Sequence, residues 1–196
     1  DGDWYFVVSP LYAAWIGDFL KENPAVSMNY DAVGSGEGIS RFITGSVDFA
    51  GTDAPLSDEE MGKAADGAVQ IPSTAGMIVL AYNLIGFEGE LRLPRALYPD
   101  ILAGTVRYWD DPRIQAANPG VKLPHREISV AARLDASGTT YALTRHLAAI
   151  SETWRDTGPG VGTLVEWRGA MLARGNEGVA HLIKISDGVI GYVEYG

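Results

Sequence analysis

Short apolar stretches alternate with segments of helical spacing from Trp4 to Tyr195. That alternation restricts the chain to an α/β fold with mostly parallel strands. The strand candidates are Trp4–Val8 ("WYFVV"), Val26–Val33, Val47–Asp53, Gly76–Leu84, Glu127–Arg133 and Gly188–Tyr195. Gly76–Leu84 is apolar nearly throughout, as expected of a strand buried on both faces. Between them, Leu11, Trp15, Ile16, Phe19 and Leu20 recur at helical spacing within Pro10–Asn23, where Pro10 suits a first turn. Further helices are predicted at Glu37–Gly45, Leu56–Ala64, Pro94–Ala103, Thr139–Leu147 and Asn176–Ile185. A serine N-cap with Glu59 at the capping-box position opens the second of these. The stretch around "WDDPRIQAANPGVKLP" and the one after Leu147 read as polar loops.

Bulk properties narrow the function. At 196 residues and 46% hydrophobic, the chain can form one large domain or two small lobes. Zero cysteines exclude disulfides, thiolate metal sites and thiol catalysis, and are compatible with an oxidising compartment. No apolar run approaches the roughly 18 residues of a membrane span. No basic, apolar leader opens the chain, so an export signal is expected to have been removed or never present. A net charge of −10 without a basic cluster argues against nucleic acid or an anionic membrane as partner. Any anion site must therefore be local.

Three predicted strand-to-helix turns carry the candidate chemistry: "VGSGEG" (Val33–Gly38), "GTDAPLSDEE" (Gly51–Glu60) and "RLDASGTT" (Arg133–Thr140). In an open α/β sheet such turns lie at the carboxyl ends of strands, where ligands bind. A helix start offers unpaired N–H groups and partial positive charge, so it holds an oxyanion without net basic charge. Serine and threonine hydroxyls add donors, and Arg133 adds one full charge on a two-pronged donor. Taken singly, each residue has an ordinary reading as well. Ser35 suits a turn, Ser137 and Thr139 suit helix caps, Asp53 suits a turn aspartate, and Asp135 suits a surface acid or a partner for Arg133. The coincidence of three such turns with one arginine favours a binding site.

Catalysis is the competing reading, and it finds little support. Ser137 lacks the G-x-S-x-G elbow of a nucleophile. His125, His146 and His181 show no motif spacing to a serine or acid, and no His/Asp/Glu group has metal-ligand spacing. "GNEG" (Gly175–Gly178) resembles nothing catalytic. The expectation is a non-enzyme with no catalytic residue, metal or cofactor.

The stretches "GSGEGISRFITGSVDFAGTDAPLSDEE", "TVRYWDDPRIQAANPGVKLP", "RLDASGTTYALTRHLAAISETW" and "GNEGVAHLIKISDGVIGYVEY" together resemble the phosphate-binding protein of bacterial phosphate-specific ABC transporters. The resemblance runs from Leu11 to the end of the chain. It implies a type II periplasmic-binding-protein fold, two α/β lobes joined by a hinge and closing on one phosphate. Lobe 1 would be residues 1–78, incomplete here, with 192–196 returning to it, and lobe 2 residues 79–191. By resemblance, Ser35 donates to phosphate, Asp53 accepts a phosphate proton, Arg133 pairs with phosphate oxygens, and Ser137, Gly138 and Thr139 supply hydroxyls and amides. Asp135, Gly34 and Gly36 support them, Asp135 by holding the Arg133 guanidinium. The implied function is non-catalytic, high-affinity binding of inorganic phosphate by a monomer. Delivery would be to a membrane permease, in the periplasm or outside the cell, including an anchored form at its surface. The alternatives are a phosphate-sensing or adhesion domain on the same scaffold and, further off, a phosphoester hydrolase.

Departures from the family pattern occur at three places. Family members open with a strand, a glycine-rich turn and then Pro-Leu-Tyr, whereas "WYFVV" runs directly into "SPLY". The phosphate-binding threonine of that turn has no counterpart, Phe6 standing near its place and Ser9 being at best a substitute. The family continues past "IGYVEY", and "RGAMLARGNEG" lacks glycines usual before "GNEG", an expected loop difference.

Overall fold

The computed structural model describes residues 8–195. Four strands, β1 (Met77–Asn83), β2 (Ser129–Arg133), β3 (Met171–Ala173) and β4 (Val189–Tyr195), form one sheet in the order β1-β4-β2-β3. β2 runs parallel to β3, from Ala131↔Met171 to Arg133↔Ala173, and parallel to β4, from Ser129↔Val189 to Ala131↔Gly191. β1 is antiparallel to β4, with Met77 opposite Tyr195 and Asn83 opposite Val189. The mostly parallel sheet expected from the alternation is thus present with one antiparallel edge. β1 occupies that edge, which is why it is only partly covered and Met77 is exposed. Its apolar run does not mark a strand buried on both faces.

Helices cover both faces, the layered solution that a sheet with parallel strands requires. On one face pack α4 (Tyr98–Leu102), α5 (Pro112–Ala117), α6 (Gly138–Ile150) and α7 (Glu152–Thr157). Their Ile101, Ile114, Leu147 and Trp154 join Trp109, Ile190 and Tyr192 in the main core. α8 (Gly175–Ile185) covers the other face, where Val179 and Ile183 meet Ala131 and Val189. The α5 and α7 segments read as polar loops because six residues are too few to display a helical period. Their signals are local caps: Asp111 ahead of Pro112 accepts the Arg113 N–H, and the Ser151 hydroxyl accepts the Trp154 N–H.

Ahead of the sheet lie α1 (Val8–Glu22), α2 (Ser35–Ile43) and α3 (Asp58–Lys63). No strand forms among the described residues before Met77, so the strands expected at Val26–Val33 and Val47–Asp53 are absent. Alternation alone cannot make a strand; it needs a ladder partner, and none of β1–β4 pairs with these segments. Aromatic contacts connect them instead: Tyr12 meets Tyr30 edge-on at 5.2 Å, and Tyr30 stacks on Phe49 at 6.3 Å. The Trp4–Val8 strand lies outside the described residues up to Val7, and Val8 begins α1, which also contains Ser9 and Pro10. The capping box of α3 closes with Glu60 rather than Glu59, because Ser57 is the N-cap and the reciprocal bond comes from the third helical residue.

Trp109 joins the loop before α5 to the start of β4. It is fully buried, and its indole N–H donates to the Gly188 carbonyl at 3.0 Å. Trp109→Ala removes that packing and leaves the Gly188 carbonyl without this donor. It should destabilise the sheet domain by about 3–5 kcal/mol, read as a lowered denaturation midpoint.

Candidate anion-binding site

β2 delivers Arg133 at its carboxyl end, and the chain turns through Asp135 and Ala136 to the N-cap of α6. The Ser137 hydroxyl accepts the Thr140 N–H at 3.3 Å, while its own N–H donates to the Thr163 carbonyl. Gly138 and Thr139, the first helical residues, have N–H groups for which α6 contains no acceptor.

The start of α2 abuts this turn. The Gly36 N–H donates to the Ala136 carbonyl at 3.2 Å. A side chain at Gly36 would strike the Ala136 methyl, and one at Gly34 would come within 2.9 Å of an Asp135 carboxylate oxygen. The third segment closes on both. The Asp53 N–H donates to the Ser35 hydroxyl at 3.3 Å, and a Cβ built on Gly138 would lie 2.5 Å from the Ser35 oxygen and 2.6 Å from the Asp53 Cβ. Only glycine permits that approach. Ser35, Asp53, Arg133, Ser137, Gly138 and Thr139 consequently line one cavity of about 420 Å³, and Gly34, Gly36 and Asp135 stand behind them. Of the three turns only the last follows a strand, and Asp53 lies ahead of α3 rather than at its first turn.

The sequence profile of the PBP superfamily domain matches residues 6–196. The chain belongs to the PBP superfamily. It is 40% identical over 190 residues to the phosphate-binding protein PstS of Xylella fastidiosa, covering 95% of this chain and 50% of that protein. Among solved structures it resembles PfluDING, a high-affinity periplasmic phosphate-binding protein bound with phosphate (TM-score 0.66, 24% identity, 85% of this chain and 49% of that one). It also resembles an ABC-type phosphate transport receptor from Vibrio cholerae (TM-score 0.60, 18% identity, 95% of this chain and 67% of that one). The fold is that of type II periplasmic binding proteins. The chain spans about half the length of the curated relatives it matches.

In this PBP domain the electrostatics centre on Arg133, which is 2% exposed. Its Nε and Nη2 donate to the two carboxylate oxygens of Asp135 at 2.9 and 2.5 Å, and Nη1 donates to the Asn176 side-chain oxygen at 3.4 Å. Its backbone N–H donates to the Tyr192 hydroxyl, which also lies 2.7 Å from the Thr140 hydroxyl. Asp135 is fixed from behind by the Gly175 N–H at 3.1 Å, where a φ of +70° requires glycine. Burial pushes the Asp135 carboxyl up, but the Arg133 hydrogen bonds and charge, with the Gly175 N–H, hold it below its ordinary value. Asp53 shows the opposite balance. It keeps an exposed edge on the cavity, yet the protein packed around its carboxyl raises its pKa, and the Arg133 charge offsets only part of that.

Sequence reasoning missed three residues of this PBP site. Asn176 of "GNEG" is buried, reaches Arg133 with its oxygen, and has a side-chain N–H₂ without a partner among the described residues. Tyr192 anchors the end of β2, and Glu194 lines the cavity. Period two on β4 places Ile190, Tyr192 and Glu194 on one face, and polar ends on an otherwise core-facing row are the signal that was available.

Asp135→Asn leaves a buried guanidinium without its charge partner and should destabilise the protein by about 3–5 kcal/mol near neutral pH. Because the folded-state pKa of Asp135 is depressed, its contribution is present above the unfolded value of about 4 and is lost as pH falls through the folded value. Thermal midpoints of wild type should therefore drop below about pH 4, and this component of the drop should vanish in Asp135→Asn.

Proposed function

We propose that this PBP-superfamily domain is part of a non-catalytic receptor that binds inorganic phosphate and delivers it to an ABC-type permease outside the cytoplasmic membrane. The observation that carries this reading is the meeting of two helix starts and one buried arginine with the Asp53 carboxylate around one cavity. Ser35, Arg133, Ser137, Gly138 and Thr139 supply donors, the positive charge and close backbone approach, while Asp135 orients the arginine. The names of the relatives, PstS and a phosphate transport receptor, point to the same ligand and role. Residues up to 78 would belong to one lobe, incomplete here, and 79–191 to the other, with 192–196 returning to the first; the receptor acts as a monomer.

Asp53 supplies the selectivity. Phosphate near neutral pH carries at least one proton and sulfate carries none. A carboxylate that only accepts hydrogen bonds is satisfied by the first and opposed by the second. A carboxyl whose proton affinity is already raised is suited to sharing such a proton. Where the bound anion shuts water out, a polar mismatch of this kind supports discrimination of roughly 10⁴–10⁵. Arsenate has the same shape and protonation and should be rejected poorly.

Among the described residues two histidines lie in other contacts, His125 pairing with Asp110 and His146 with Tyr98, and the Ser137 hydroxyl serves as a helix cap. Titration calorimetry tests the reading: phosphate should bind and sulfate should be weaker by roughly 10⁴ or more. Asp53→Asn should keep the fold and lose most of that preference. Sulfate binding as tightly as phosphate to wild type would sink the proposal, and turnover of a simple phosphoester abolished by Ser137→Ala would replace it with a hydrolase.

A further inference from the structure

The cavity holds a second carboxylate that the phosphate reading does not use. Glu194 sits on β4 two residues beyond Tyr192, on the same face, one step past the hydroxyl that anchors the Arg133 backbone. Its carboxyl lies over Gly76, where a built Cβ would be 2.1 Å from Oε1. Glycine at position 76 leaves the carboxyl that space without moving its tip. Glu194 lines the same cavity as Asp53 and Arg133, yet among the described residues its carboxyl makes no hydrogen bond and no ion pair. Asp53 and Arg133 are the charged groups that face it, Gly76 offers only backbone, and Tyr12, Tyr30 and Asp48 also line the cavity.

We propose that Glu194 is a second proton-holding carboxylate of the cleft, and that the cleft takes up its anion together with one proton carried by Glu194. The proposal rests on the phosphate reading and adds to it. Arg133 is already paired with Asp135, so an ionised Glu194 beside Asp53 would present two negative charges, only partly offset by Arg133, to an entering anion. Protonation by solvent removes one of these charges and converts Glu194 from an acceptor into an O–H donor. A bound anion in turn raises the proton affinity of Glu194, because coupling between the two sites is reciprocal. Burial, then the neighbouring Asp53 charge, push Glu194 up to about 7, against a partial pull from Arg133, so the group changes state near neutrality.

The experiment compares phosphate affinity of wild type and Glu194→Gln across pH by calorimetry on the whole protein. Taking the ratio of the two dissociation constants cancels the ionisation of phosphate itself. Below about pH 6 the ratio should be constant; above about 7 wild type should weaken relative to Glu194→Gln, approaching tenfold at about pH 8 as the protonated fraction falls. A ratio that stays constant across that range, or one that moves the other way, overturns the proposal. The Glu194 carboxyl is also followed directly by NMR in ligand-free protein. It should titrate near neutrality and shift down in Asp53→Asn; titration in the ordinary carboxylate range overturns the proposal whatever phosphate does. Wild type that binds no phosphate at any pH, with Glu194 still titrating near neutrality, overturns the phosphate reading alone.

Discussion

Everything around the cavity depends on burying the guanidinium of Arg133. An isolated charge in the interior is prohibitively unfavourable, so the chain must bring a carboxylate to it and satisfy the remaining polar atoms nearby. Asp135 does so from two residues away, which forces the backbone out of β2 at once and places Ser137 where it caps α6. The same carboxylate accepts the Gly175 N–H, so the start of α8 is tied to the start of α6 through one ion pair. Asn176, the next residue of α8, and Tyr192, from β4, then contact the arginine as well. Pairing one charge thereby determines where two helices begin and which strand residue faces the cavity.

This dependence explains what could be read from the sequence. The turn from Arg133 to Thr140 was legible because its strand, ion pair, cap and helix are all local, and the residues that meet the cavity from it were assigned together. Ser35 and Asp53 were legible as members of a pattern, although the pattern mislocated their setting. The strands expected before them depend on ladder partners, and alternation in Val26–Val33 and Val47–Asp53 carries no information about whether a partner exists. α5, α7 and β3 escaped because elements of three to six residues are specified by caps and neighbours rather than by period. The antiparallel edge was equally unreadable, since an apolar run such as Met77–Asn83 fits a central strand and a partly covered edge alike.

Asn176 and Glu194 illustrate a different limit. Each is polar in a segment whose spacing explains it adequately as a helix start or a strand end. Their relation to Arg133 and Asp53 spans separations such as the 43 residues from Arg133 to Asn176, and only the fold brings them together. Tyr192 is intermediate: its place on the core face follows from period two, but the backbone N–H that its hydroxyl accepts does not.

The charge balance of the chain now has a physical reading. A net charge of −10 opposes anion binding only through long-range fields, which water and salt screen beyond about 10 Å. At the cavity the field is set by helix starts and one arginine, and that arginine is held neutral overall by Asp135. What remains to decide which anion enters is therefore not the sum of charges but the supply of protons. On the proposed function Asp53 asks for a hydrogen on the ligand, and on the further proposal Glu194, raised to about 7, brings one from solvent. Two carboxylates facing an anion are tolerable when each interface between negative groups contains a hydrogen, and an anion that brings none leaves Asp53 opposed by a bare acceptor. On that reading an acidic wall of this kind would reject unprotonated oxyanions without any further positive charge, and a strongly acidic chain could carry an anion cleft.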